Sequence, residues 1–280
     1  ALGQRWHRLG RGERRVAVAQ SEVERAFSRR IGAQRTRIVR CGGTRELLDK
    51  LGLTGVTPVE SLGGVPVTVP DMRELAGGYR ARGEVLVVDN TTASSFGSAP
   101  GRRGGHVVFE RLAHVLDDPE CALVAVSVSR DARSIPGLLD RLDLLPGASE
   151  EEQRTVAEAL PGFDERRRRA NDLAQVVATF LSCHPGVGEL RYPGLPTDPG
   201  HEVAASLLFD GFGPLVDLVP SVGARGMHQA CERVGGMASL ALPSREGVKA
   251  WLRLDLREWD GGDVRGALLA LESALSVLDG

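Results

Sequence analysis

The chain has 280 residues, 42% of them hydrophobic and 26% charged, the proportions of a soluble globular protein with room for one large domain or two modest ones. Its 35 basic and 37 acidic residues leave a formal charge of −2, so no global field draws it onto nucleic acid or an anionic membrane. No stretch approaches the ~18 apolar residues of a membrane span, and no charged leader with an apolar run opens the sequence, so the expected setting is the cytoplasm.

The first half alternates short apolar runs with amphipathic stretches. Arg15–Ala19 reads as a strand, Glu22–Arg30 as a helix, Thr36–Val39 as a strand and Thr44–Leu51 as a helix. A strand at Val56–Glu60 follows, then a helix over Asp71–Arg82 with Leu75, Ala76 and Tyr79 on one face. Glu84–Asp89, Val107–Phe109 and Ala122–Val128 are further strands. Such alternation predicts a mostly parallel, wound α/β sheet. Ligands of these sheets sit beyond the carboxyl ends of the strands, where Asp89 falls. Leu145-Pro146-Gly147 signals a turn, and Ser149 with Glu152 matches a capping box that opens a helix. A long helix is expected over Phe163–Cys183, with Ala170, Leu173, Ala174, Val177, Phe180 and Leu181 as its apolar stripe. A Pro/Gly-rich segment, His184–Pro199, comes next. Short strands and helices then lead to a strand at Trp251–Leu256 and a last helix at Asp263–Leu278. The expected division is a large α/β domain over 1–148 and a smaller α+β domain over 149–280.

Several residue types bear on chemistry. Only Lys50 and Lys249 are lysines, so a mechanism that needs a primary amine has two candidates. Cys41, Cys121, Cys183 and Cys231 are widely spaced with no C-x-x-C pair, which fits a reducing compartment and provides no metal site. The run Arg166–Arg169 reads as a solvated helix face, because Asp164, Glu165 and Asp172 offset its charge. His184 and His201 lie among Pro and Gly and read as structural, and His106 and His228 belong to no recognisable constellation.

Three segments carry a family resemblance. Val87-Val88-Asp89-Asn90-Thr91 ends a strand. Arg191-Tyr192-Pro193-Gly194-Leu195-Pro196 is followed by Pro199-Gly200-His201-Glu202. Gly235-Gly236-Met237-Ala238-Ser239-Leu240 precedes Leu252-Arg253-Leu254 and an amphipathic helix. In this order the chain resembles the cysteine/methionine-metabolism enzymes that use pyridoxal phosphate, the family of cystathionine γ-synthase, cystathionine lyases and methionine γ-lyase. The resemblance implies a fold-type-I, aminotransferase-like large domain, a small carboxyl-terminal domain and an oligomer built from tight dimers. It places Asp89 as the partner of the cofactor's ring nitrogen, with Thr91 beside it. A carboxylate there keeps the nitrogen protonated and lets the ring take up carbanion charge. It places Arg253 as the substrate-carboxylate arginine.

The same resemblance marks departures. The cofactor lysine of the family falls on His114, in the stretch His106–Leu116. An imidazole moves protons but forms no Schiff base. The family's phosphate-holding serine and threonine fall on Arg111 and Ala113, and two other family positions fall on Arg233 and Ala238. The stretch Gln20–Arg25 holds no aromatic ring to stack on the cofactor. The family's S-G-M turn and Y-x-R arm are expected to precede residue 1, since the likeness begins part-way into the large domain. These readings give three functions. The first is a degenerate homologue without covalently bound cofactor, acting as a structural or regulatory partner, as a homo-oligomer or with an active paralogue. The second is an active pyridoxal-phosphate-dependent C–S lyase or γ-replacement enzyme acting on a sulfur amino acid. The third is a cofactor-independent enzyme using His114 and Asp89. None of them involves a metal, nucleic acid or a membrane.

Overall fold

The computed structural model describes residues 19–221, 238–241, 249–259 and 264–276. The expected strand at Arg15–Ala19, apart from Ala19, lies outside the described residues, as do His228, Cys231 and Arg233.

The first element is α1 (Glu22–Ile31). Ser21 caps it: its hydroxyl accepts from Glu24 N, and the Glu24 carboxylate accepts from Ser21 N. Gly32 ends it at φ +79°, a left-handed turn that suits glycine. Then follow β1 (Ala33–Arg40), α2 (Thr44–Lys50), β2 (Val59–Glu60), α3 (Met72–Arg82), β3 (Val87–Asp89), α4 (Ser94–Gly97), β4 (Val107–Arg111), α5 (Ala113–Leu116), β5 (Leu123–Ser129) and α6 (Leu138–Leu144). The strand expected over Val56–Glu60 shrinks to its last two residues, since Pro58 has no N–H for a ladder.

These strands form one sheet in the order β1-β5-β4-β3-β2. β2, β3 and β4 pair in parallel, and β5 runs antiparallel to both β4 and β1. Four of the five strands therefore point the same way. Alternate side chains feed opposite faces. Val87, Val107, Phe109 and Val126 pack with Leu47 and Leu48 of α2 and with Leu138 and Leu142 of α6. Val88 and Val108 pack on the other face with Met72 and Ala76 of α3.

Helix α7 (Glu150–Leu181) connects the two halves of the chain. The capping box at Ser149 and Glu152 is present. The two helical stretches expected here are one helix, which continues through Pro161. Anchoring on both sides of the proline explains this. Val156 and Phe163 pack in one core cluster with Phe27, Leu112 and Val115, so the chain is held in helical register across the lost hydrogen bond. Beyond it, Ala174, Val177, Ala178 and Leu181 pack into a different core, that of the second sheet.

That sheet holds β6 (Val187–Arg191), β7 (Leu215–Pro220), β8 (Ala238–Ala241) and β9 (Trp251–Asp255) in the order β6-β7-β9-β8, antiparallel throughout. α8 (His201–Leu207) precedes β7, and α9 (Val264–Ser276) follows β9. β6 lies inside the segment read as irregular. It is an edge strand with no fully buried side chain, so its apolar alternation is faint. The architecture is α/β: a mostly parallel large sheet and a smaller second sheet. No helix among the described residues is long and apolar enough to cross a membrane.

Candidate functional site at the carboxyl ends of the strands

Asp89 closes β3 with its side chain half-buried. Its Oδ1 accepts from Thr91 N at 2.9 Å. Thr91 Oγ1 accepts from Arg111 N at 3.1 Å, and Arg111 Nη2 donates to Thr44 Oγ1 at 2.7 Å. The ends of β3 and β4 and the start of α2 are thereby tied into one polar cluster. Asp89 and Thr91, paired in the sequence reading, belong to it. Arg111 and Thr44 are the members that pattern reading missed. The resemblance marks Arg111 only as the occupant of a serine position, and no local signal brings in Thr44.

Beneath this cluster Glu110 is buried, 3% exposed. Its Oε2 accepts from Ser95 N at 2.8 Å, and its Oε1 has no partner among the described residues. Burial pushes the carboxyl up to about 7, against the Ser95 N–H that lowers it.

His114 lies on α5 and lines a cleft of about 610 Å³ between the two sheets' domains. Thr91 and Thr92 form part of its floor, α7 one wall, and the Leu256–Trp259 turn after β9 the other. Burial holds the imidazole below its ordinary range, and Arg257 acts in the same sense. Both effects favour the neutral imidazole. No hydrogen bond joins His114 to Asp89, and Asp89 does not line this cleft. The structure therefore does not join the two into a hydrogen-bonded acid–base pair.

Arg253 sits on β9 with its guanidinium engaged. Nε and Nη2 donate to Asp217 Oδ1 and Oδ2 at 2.8 and 2.7 Å, and Nη2 also bonds Gly64 O. Of its guanidinium nitrogens only Nη1 is left for a ligand.

The arginine run is the exposed face expected of it at Arg166, Arg168 and Arg169, and departs from it at Arg167. Arg168 and Arg169 are exposed, but Arg167 is buried and bonds Asp164 and the Asp210 carbonyl. Arg166 donates to the carbonyls of His114 and Val115. Arg166 ties α7 to α5, and Arg167 and Arg168 tie it to the loop before β7.

A pyridoxal group would find one fitting residue here, Asp89, whose Oδ2 has no partner among the described residues. The rest of the donor set does not fit covalent attachment. Lys50 lies on the surface and pairs with Glu46 at 2.6 Å, and Lys249 is exposed and pairs with Glu189 at 2.5 Å. Neither lines the cleft. No group of three or more potential metal ligands exists among the described residues.

Over 221 residues the chain is 29% identical to cystathionine γ-synthase of Mycobacterium bovis, covering 69% of this chain and 53% of that protein. It thus spans about half the length of the curated relatives it matches. It is 29% identical over 136 residues to L-methionine γ-lyase of Fusobacterium nucleatum, covering 47% of this chain and 34% of the lyase. Cystathionine γ-synthase from Xanthomonas oryzae pv. oryzae shares the fold, with a TM-score of 0.70 and 19% identity over 92% of this chain and 85% of that one. The family described as Cys/Met metabolism PLP-dependent enzyme matches residues 53–234, which include Asp89, Thr91 and His114. With most of its length matched, the chain belongs to the Cys/Met metabolism PLP-dependent enzyme family.

Proposed function

We propose that this chain is a cystathionine γ-synthase-like protein that has lost the Schiff-base lysine and acts in the cytoplasm as a structural or regulatory partner. The position of its two lysines carries the reading. Both lie on the surface in ion pairs with glutamates, and His114 stands where the resemblance puts the lysine. An imidazole cannot take over the role of a primary amine. Pairing with itself or with an active relative is the interaction this reading implies. A symmetric interface can outlive the site it once served.

The free Oδ2 of Asp89 favours a second reading, an active pyridoxal-phosphate-dependent C–S lyase or γ-replacement enzyme of sulfur amino acids. In that case another chain would supply the missing groups. One experiment separates the two. The purified chain is mixed with pyridoxal phosphate, and its absorption spectrum is recorded before and after borohydride. The first reading expects no reducible visible band, no labelled peptide, and a stable complex when the chain is coexpressed with an active relative. Cofactor fixed to a peptide containing Lys50 or Lys249 overturns it.

A further inference from the structure

Helix α9 buries one side and leaves an apolar stripe on another. Ala267, Leu271, Ala274 and Leu275 are buried in the core of the second sheet. Leu269 is 58% exposed and Val264 41%. With Arg265, Leu268 and Glu272 of the same helix and Phe180 of α7 they line an outward groove of about 530 Å³. Residues 265, 268, 269 and 272 are spaced three and four apart, so they share one side of the helix. Neither Thr91 nor His114 lines this groove; within α9 only Val264 also reaches the cleft that His114 lines. A contiguous exposed apolar surface with charged residues at its rim marks an interaction site, whereas single exposed leucines do not.

Charge names the partner. Arg265 is exposed and makes neither an ion pair nor a side-chain hydrogen bond among the described residues. Glu272 engages His184 Nε2 through Oε2 at 3.1 Å, which leaves its Oε1 available. The two charges lie equally far, about 5 Å along the axis, on either side of the Leu268–Leu269 step. Turning a second copy by 180° about that step lays its α9 antiparallel to the first and exchanges the two positions. Arg265 of each copy then meets Glu272 of the other, and Leu268 meets Leu269. A two-fold contact needs this self-complementarity, in which one position meets a second and the second meets the first. We propose that α9 is the two-fold contact through which two copies of this chain pair. Leu268, Leu269 and Phe180 form its apolar centre, and the two Arg265–Glu272 pairs close its ends. The assignment rests on the reading above only in taking a second copy as the partner which that reading leaves open, and Asp89, His114 and Arg253 take no part in it.

The test is sedimentation of the full chain over a range of micromolar concentrations, where a small interface is expected to assemble. The parent is expected to show a step that doubles its mass. Leu269→Asp is expected to remove that step with an unchanged thermal midpoint, because this side chain has no core contact to lose. Leu144→Asp, at a leucine 68% exposed on α6, leaves the step in place. Arg265→Glu and Glu272→Arg each set like charges against one another at both ends of the contact, and each is expected to weaken it about tenfold or more. An equal mixture of these two variants restores both opposite-charge pairs and is expected to assemble as the parent does. The proposal is overturned if the parent shows no such step, if Leu269→Asp keeps it, if Leu144→Asp removes it equally, or if the mixed variants do not assemble. It is also overturned if the face holds only a coexpressed relative, with binding lost in Leu269→Asp and no self-association. These outcomes are separate from the borohydride result, which reads the lysines and not α9.

Discussion

Arg253 and Asp217 form a bidentate ion pair across neighbouring strands, with Asp217 wholly buried and its Oδ2 also accepting from Val67 N at 2.6 Å. The pair is thereby joined to the loop that carries Gly64 and Val67, and the second sheet is fastened to the first domain. Arg253→Ala leaves a buried carboxylate without its counter-charge. The expected loss is about 3–5 kcal/mol in urea unfolding. Arg253→Lys is expected to recover only part of it, because an ammonium cannot make the two parallel bonds. A loss below about 1 kcal/mol for Arg253→Ala contradicts this account.

Glu110 makes stability depend on pH. Its folded-state value lies near 7, above the ordinary 4.5, so the folded chain binds this proton more tightly than the unfolded one. Its contribution is complete below about pH 4.5 and is lost as the pH rises through about 7. The loss is on the order of 3 kcal/mol between those limits. Glu110→Gln keeps an acceptor for Ser95 N and removes the titration. Urea midpoints between pH 5 and 8 are expected to fall for the parent and to stay level for the variant. Parallel slopes for the two proteins rule the assignment out.

Pro161 lies inside α7 and is exposed. An interior proline costs a helix about 3 kcal/mol through its missing N–H and its ring clash. Pro161→Ala is expected to raise stability by about 1–3 kcal/mol and to leave the fold unchanged. A decrease in the thermal midpoint would show that the proline serves the packing on either side.

Tyr192 is fully buried, and its hydroxyl donates to Gly213 O at 3.2 Å. Burial raises the phenol well above its ordinary value. Tyr192→Phe is expected to cost about 1 kcal/mol in urea unfolding, the net worth of one buried hydrogen bond. In the parent, absorbance titration is expected to leave this tyrosine protonated until the chain unfolds in alkali.

The legible parts of the fold are those encoded locally. The capping boxes at Ser21 and Ser149 place a hydroxyl and a glutamate three residues apart; the second was legible as such, and α1 was expected in its place. The apolar runs of β3, β4 and β5 mark strands buried on both faces. The Asp89–Thr91 turn follows from a strand that ends in an aspartate. Less was legible where neighbours decide the outcome. β6 is a strand because β7 offers it an edge, and α7 passes Pro161 because Val156 and Phe163, on either side of it, are held in one core. The arginine run reads as a solvated face from charge counting, yet Arg167 is buried because the loop before β7 closes over it.

Residue type alone determined that this chain has two lysines, and the resemblance read from the sequence put His114 at the family's lysine position and Asp89 at its ring-nitrogen position. These are matters of identity and order, which need no coordinates. Tertiary structure decided what each group faces. It put Lys50 and Lys249 against surface glutamates, gave Arg253 to Asp217, and kept His114 and Asp89 unbonded. The reason is physical: the state of a charge is set by its distance to other charges and to water, and those distances exist only once strands far apart in sequence have paired.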